Sequence, residues 1–233
     1  MKDLYLIENS TVLKNLLGIT EEKELDLAEA ELSRANMMLL YEKGFDDFSS
    51  SGFCYIHKFL FGDVYEWAGE YRKINIQKRE ALLAGQSVWY SSVTEIYRDL
   101  DNAFMEINKV DWSALSKDDF AKQIARLFPK LWQVHPFREG NTRTTVMMMT
   151  FFIEHYGYYF DQNLMAESAG YVRDSFVLAS LGEHSEYEHL EEILKDAICT
   201  EQIDYTESIT IGKDKKEKYK SDNYTPTKHE YIE

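Results

Sequence analysis

The chain has 233 residues, 44% of them hydrophobic and 14% aromatic, enough for one sizeable core with a tail and too apolar for wholesale disorder. A formal charge of −15 and a pI near 4.9 argue against a protein built to grip phosphate backbones, since such binders carry a basic stripe. Two cysteines, Cys54 and Cys199, give no disulfide framework, and no run of about 18 apolar residues suggests a membrane span.

Helical periodicity recurs along most of the chain, with only three prolines, so the fold class reads as mainly α. Residues 10–17 read as a short helix stopped by Gly18. Thr20 reads as the cap of a second helix, with Glu21, Glu22 and Glu24 at the positive end of its dipole and Gly44 at its close. Phe53, Ile56 and Leu60 mark a third, running to Gly62. The texture then changes: "EYRKINIQK" (70–78) alternates like a short strand or one arm of a hairpin. Residues 91–108 return to helix. Ser116, with Asp119 three positions on, resembles a capping box opening a helix that Pro129 should kink or bring near its end.

Next comes "VHPFREGNTRTTV" (134–146), then the apolar run Met147-Met148-Met149-Thr150-Phe151-Phe152-Ile153 up to about Tyr156. Residues 167–181 and 185–198 read as two more helices. From about 201 the chain turns polar and reads as a loosely ordered tail. His184 and His189 lie among acidic residues, but a spacing of five does not put two ligands on one helix face, so that stretch reads as a solvated helix. Trp67 and Trp89 are expected to pack around the base of the 70–90 segment.

A loop running into a buried helix presents unpaired N–H groups and the positive end of the helix dipole, a place where phosphates settle. Gly140 lets the backbone approach a ligand, Asn141 and the amides of 141–143 can donate inward, and Arg143 adds a cationic fork. Glu139 is out of place beside phosphate unless it holds Mg²⁺, and His135 is the natural general base. Together these residues suit phosphoryl or nucleotidyl transfer to a hydroxyl.

His135-Pro136-Phe137-Arg138-Glu139-Gly140-Asn141-Thr142-Arg143 resembles the Fic signature H-P-F-x-(D/E)-G-N-(G/K)-R, matching eight of its nine positions. "STVLKNLLGI" (10–19) and "DVYEWAGEYRKINIQK" (63–78) also resemble family segments, so the likeness spans roughly residues 5–200. The resemblance implies a helical Fic bundle over 1–200 with a short β-hairpin flap, and a tail over 201–233. It implies a protein adenylyltransferase: His135 takes the proton of a Ser, Thr or Tyr hydroxyl on a target protein, which then attacks the α-phosphorus of ATP. Glu139 would hold Mg²⁺; Gly140, Asn141 and Thr142 would form the anion hole, with Arg138 beside it; Arg143 would bind the outer phosphates; Phe137 would anchor the loop. Ile74, Asn75 and Ile76 in the flap would dock the target chain by strand addition.

Two positions depart from the pattern. Thr142 replaces the usual glycine, and Val146 stands where many members carry a second arginine. Doc-type relatives, which phosphorylate instead, also lack that arginine, yet they carry alanine and lysine where this chain has Gly140 and Thr142. AMP transfer is therefore preferred over a Doc-like phosphotransferase or a non-catalytic interaction module. Self-inhibiting members carry (S/T)-x-x-x-E-(G/N), and the nearest stretches, Thr20 to Leu25 and Ser91 to Ile96, lack its last residue. Restraint by a separate antitoxin-like protein is expected, in a cytoplasmic setting, without nucleic acid or membrane as partner.

Overall fold

The computed structural model describes residues 3–203 and 217–220. The mainly α expectation holds among them. The helices are α1 (Glu22–Lys43), α2 (Ser50–Phe61), α3 (Ile96–Asn108), α4 (Lys117–Val134), α5 (Asn141–His155), α6 (Gln162–Glu167), α7 (Ala169–Leu178) and α8 (Glu188–Ala197). Two short strands, β1 (Tyr159–Phe160) and β2 (Ile198–Cys199), pair antiparallel and tie the end of α8 to the exit of α5.

α5 is the axis. Met147, Met148, Met149 and Ile153 are fully buried, and α2, α4 and β1 all pack on this helix. A helix apolar on every side has to be surrounded by protein, which makes α5 a rigid mount for whatever lies at its N-terminus. α4 begins where Ser116 accepts from the Asp119 amide at 3.2 Å, as the cap expectation required. Pro129 lies in the closing turns of α4, which ends at Val134.

Four expectations need correction. Residues 10–17 are not helical. Ser10 Oγ accepts from the Val12 amide at 3.1 Å, and the Asn15 side chain bonds the backbone of both Leu13 and Ile19. Such local side-chain bonds compete with the helical ladder, and the chain instead doubles back, with Ile7 N on Val12 O and Lys14 N on Tyr5 O, both at 2.8 Å. Thr20 does not cap α1; Glu21 stands at that position and makes no side-chain cap bond.

The third correction concerns 70–78, which contains no strand. Among the described residues no strand pairs with it, and side chains take several of its polar groups instead. Arg72 Nη1 donates to Ile74 O at 2.7 Å, Tyr5 Oη accepts from the Lys73 amide at 3.0 Å, and Ser87 Oγ accepts from the Lys78 amide at 3.2 Å. The loop closes lower down, where the Glu80 amide donates to Gln86 O at 2.9 Å. The sheet lies elsewhere, at β1 and β2.

The fourth concerns the tail. Residues 204–216 and 221–233 lie outside the described residues, but 217–220 are anchored. Tyr219 is 2% exposed, its hydroxyl donates to Asp196 Oδ2 at 2.7 Å, and its ring lies 5.1 Å from that of Tyr171. Of the two tryptophans expected near the flap base, Trp67 stacks on Tyr65 at 4.4 Å, whereas Trp89 is 89% exposed.

Candidate active site

His135 ends α4 in a left-handed conformation, φ 49°, which turns the chain out of one helix and toward the next. Its Nδ1 lies 3.2 Å from Trp132 O, a carbonyl that can only accept. That bond places the proton on Nδ1 and leaves the lone pair on Nε2, the tautomer a base requires. Nε2 is buried and has no hydrogen-bond partner among the described residues. The ring is clamped against Tyr90 at 4.1 Å and edge-on to Trp132 at 5.2 Å. Burial above all, then the charge on Lys78 and those on Arg72 and Arg173, hold the imidazole well below its usual pKa despite the Trp132 carbonyl. The group is therefore neutral at pH 7.

Phe137 turns inward and is fully buried, stacked on His57 at 3.8 Å and on Phe53 at 5.6 Å. Asn141 closes the loop around it: Oδ1 accepts from the Phe137 amide at 3.0 Å and Nδ2 donates to Phe137 O at 2.9 Å. The Asn141 carboxamide, expected to donate to a ligand, instead shapes the turn. Backbone donors remain. The first bond at the start of α5 runs from Thr144 N to Gly140 O at 3.0 Å, so the amides of 141–143 lie ahead of it, in the part of a helix that leaves N–H groups unpaired.

Gly140 has φ 80°, and a Cβ built there would sit 2.4 Å from the Phe61 ring. The residue is glycine because of what lies behind the loop as well as what may approach its front. Thr142 fits the departure from pattern: its Oγ1 accepts from Trp132 Nε1 at 2.9 Å, which bolts the first turn of α5 to the last turn of α4. Val146 is a partly buried hydrophobe packed on the core.

Three charged side chains have partners no motif would reveal. Arg143 donates from Nη1 to Ser33 Oγ at 2.7 Å and from Nη2 to Glu29 Oε1, and its guanidinium lies 4.7 Å over the Phe61 ring. Tyr65 Oη donates to the other Glu29 oxygen. α1 therefore orients the Arg143 fork while leaving other guanidinium N–H groups uncommitted. Glu95 pairs with Arg98 instead of reaching the site; Glu24 is exposed. Arg138 is held by Asp3, with Nε at 3.1 Å and Nη2 at 2.9 Å from Oδ2, so the N-terminal segment absorbs the fork expected beside the phosphates.

Glu139 faces a cation already. Lys78 Nζ lies 3.3 Å from Oε1 and 3.1 Å from Oε2, and the Gly140 amide donates to Oε1 at 3.1 Å. Burial pushes this carboxyl up, but Lys78, the Gly140 amide and Arg143 outweigh it and hold it below the usual carboxylate range. A carboxylate kept ionised against a cation is a donor of the hard-oxygen type that Mg²⁺ takes, and in that respect the residues fit the metal. Among the described residues no cluster of three or more His, Cys, Asp or Glu side chains is placed to hold a metal without a ligand's help.

His57, which no motif singled out, supports the loop from below. Its Nε2 lies 3.0 Å from Glu139 O and its Nδ1 accepts from the Gly69 amide at 2.8 Å. A protonated ring would have no lone pair for Gly69. Burial first, and the Arg143 charge after it, lower its pKa from 6.5 to about 3 although the Glu139 carbonyl pulls the other way. The unfolded chain binds a proton near pH 6.5 that the folded chain refuses until about pH 3, so the contribution is whole above 6.5 and lost as pH falls through that window. Stability should drop by about 1.4 kcal/mol per pH unit from this group. Chemical denaturation between pH 6 and pH 5 should show a shallower pH slope for His57→Gln than for the unaltered protein by about that amount; equal slopes would contradict it.

Within the flap segment, Arg72 Nε donates to His135 O at 2.9 Å and the Arg72 amide donates to Pro136 O at 2.7 Å, fixing its root to the motif loop. Beyond that root, the N–H and C=O groups of 75–77 make no backbone hydrogen bond among the described residues, and Asn75 Oδ1 accepts from the Val93 amide at 2.9 Å. A groove of about 1210 Å³ runs alongside, lined by Asn75, Ile76, Trp89, Tyr90, Gln133 and Leu181 among others.

A profile of the Fic/DOC family matches residues 47–153. Probable protein adenylyltransferase y4lH of Sinorhizobium fredii is 32% identical over 154 residues, 65% of this chain and 76% of that protein. The protein adenylyltransferase of Bartonella henselae is 26% identical over 211 residues, 85% of this chain but only 38% of its own length. Among solved structures, the N-terminal Fic domain of a putative cell filamentation protein from Bartonella quintana superposes with a TM-score of 0.69 at 25% identity, over 84% of this chain and 91% of that one. BepC of Bartonella tribocorum, solved with bound AMPPNP, gives 0.74 at 21% identity over 87% and 99%, a likeness of fold. On the signature loop, the helical frame around it and these likenesses together, the chain belongs to the Fic/DOC family.

Proposed function

We propose that this protein is a protein adenylyltransferase that moves AMP from ATP to a Ser, Thr or Tyr hydroxyl of a target protein. The observation that carries the reading is His135: a buried imidazole with its proton on Nδ1, a partnerless Nε2, and the donor end of α5 six residues away. Nε2 takes the proton of the target hydroxyl. The hydroxyl oxygen then bonds to the α-phosphorus, the bond from that phosphorus to the bridging oxygen breaks, and pyrophosphate leaves. The amides of 141–143 offer donors where negative charge grows, and Arg143, steadied by Glu29 and Ser33, binds the outer phosphates. Mg²⁺ held by Glu139 would supply charge neutralisation on the phosphate oxygens.

The target is read as an extended protein segment laid along 74–76, where residues 75 and 76 make no backbone hydrogen bond among the described residues and the adjoining groove suits main-chain pairing with little demand on sequence. Assignment of 1–200 as the Fic domain, the cytoplasmic setting and a separate antitoxin-like restraint belong to the same proposal. The relatives' names support the reaction class: Sinorhizobium fredii, Bartonella henselae and Bartonella schoenbuchensis each supply a protein named as an adenylyltransferase or probable adenylyltransferase.

Val146 favours one alternative, since an aliphatic side chain packed on the core gives the outer phosphates no second arginine. Incubation with a target lysate and ATP labelled on either the α- or the γ-phosphate separates the two. Label from the α-position should enter protein and label from the γ-position should not. The reverse pattern makes the protein a phosphotransferase, and no incorporation from either leaves a binding module.

A further inference from the structure

Lys78 projects from the segment proposed to receive the target, yet its ammonium is spent on the carboxylate of the motif loop. Both oxygens of Glu139 are within 3.3 Å of Nζ, and both side chains are largely enclosed, at 29% and 33% exposure. In so confined a place an ammonium and a divalent cation would repel one another while competing for the same two oxygens. Beyond the Arg72 root, Lys78 provides the side-chain bond from 74–79 to the motif loop among the described residues. The rest of that stretch is held from its own side: Asn75 by Val93, and the Lys78 amide by Ser87.

We infer that Lys78 is an internal counter-ion that occupies Glu139 until a divalent cation displaces it, and that its release unlatches the 74–79 segment for the incoming target. Metal-nucleotide loading would thereby precede target docking, and the coupling would reside in one salt bridge. The inference rests on reading Glu139 as the metal carboxylate. Lys78 is a positioning residue here, because it acts through the Glu139 carboxylate that it contacts.

Two measurements that do not depend on transfer activity test it. The first is hydrogen exchange of the Glu80 amide, which bonds Gln86 O at 2.9 Å and reports on closure of the segment. In protein without metal or nucleotide, Lys78→Ala and Glu139→Gln should both speed its exchange, and Lys78→Arg should restore the slow rate of the unaltered protein. The second is a Mn²⁺ titration by electron paramagnetic resonance in saturating ADP. Lys78→Ala should bind Mn²⁺ more tightly by about fivefold or more, the low end of ordinary coupling between competing ligands. Unchanged exchange in both variants, or Mn²⁺ affinity that is unchanged, weaker or undetectable throughout, overturns the latch. If the protein transfers no label but the exchange and titration results hold, the proposed reaction fails and the latch stands.

Discussion

His135→Ala should abolish transfer of α-label while leaving the fold and nucleotide binding in place. General-base catalysis is worth about 10²- to 10⁴-fold, so the rate should fall by at least about 100-fold at pH 7.5. The side chain contributes one bond to Trp132 O and buries a partnerless Nε2. Removing an unsatisfied buried atom offsets much of the lost packing, so the change in stability should be small compared with the change in rate. Single-turnover incorporation of label, run beside a thermal melt, separates the two. A variant that melts normally and transfers normally would show that the hydroxyl proton leaves by another route. The lowered pKa of His135 adds a pH signature: the base is neutral well below 6.5, so the rate should hold steady from pH 8 to 6.5 and fail only on further acidification.

Phe137→Ala should have the largest effect on stability. The ring is fully buried between His57 and Phe53, and truncating such a side chain typically costs about 3–5 kcal/mol. Since a domain's whole stability is roughly 5–15 kcal/mol, the variant should be marginally folded at 37 °C. The damage reaches the site as well, because Asn141 shapes the loop by bonding both backbone groups of Phe137. Urea unfolding should show a lower midpoint with an unchanged slope, and ADP binding measured at 10 °C, where the protein stays folded, should be weakened. Phe137→Leu, which keeps most of the volume, should recover much of the stability. Full stability in the alanine variant would mean the ring does not anchor the loop.

The motif residues were legible because their chemistry is local. A histidine, a carboxylate, a glycine and an asparagine within seven positions at the mouth of an apolar helix imply an anion site, however the rest of the chain folds. The helices α2 and α4 were legible from their apolar periodicity, and α5 from its unbroken apolar run. The 10–17 segment misled because its apolar spacing suits a helix, while Ser10 and Asn15 offer the backbone better bonds nearby. The 70–78 segment alternates like a strand, but alternation says only which way side chains point; it does not supply a partner strand.

What the residue string could not hold is who meets whom across long separations. Glu29 and Ser33 reach Arg143 across 114 and 110 positions, Lys78 reaches Glu139 across 61, and Asp3 reaches Arg138 across 135. Charge and hydrogen-bonding power are properties of single residues and can be read in order along the chain, whereas a salt bridge exists only where packing brings two of them within about 4 Å. The kind of chemistry was thus written into thirteen consecutive residues. The state of that chemistry, with Nε2 bare, Asn141 turned inward and Glu139 already holding a lysine, was settled by how α1, α2 and the flap fold onto α5.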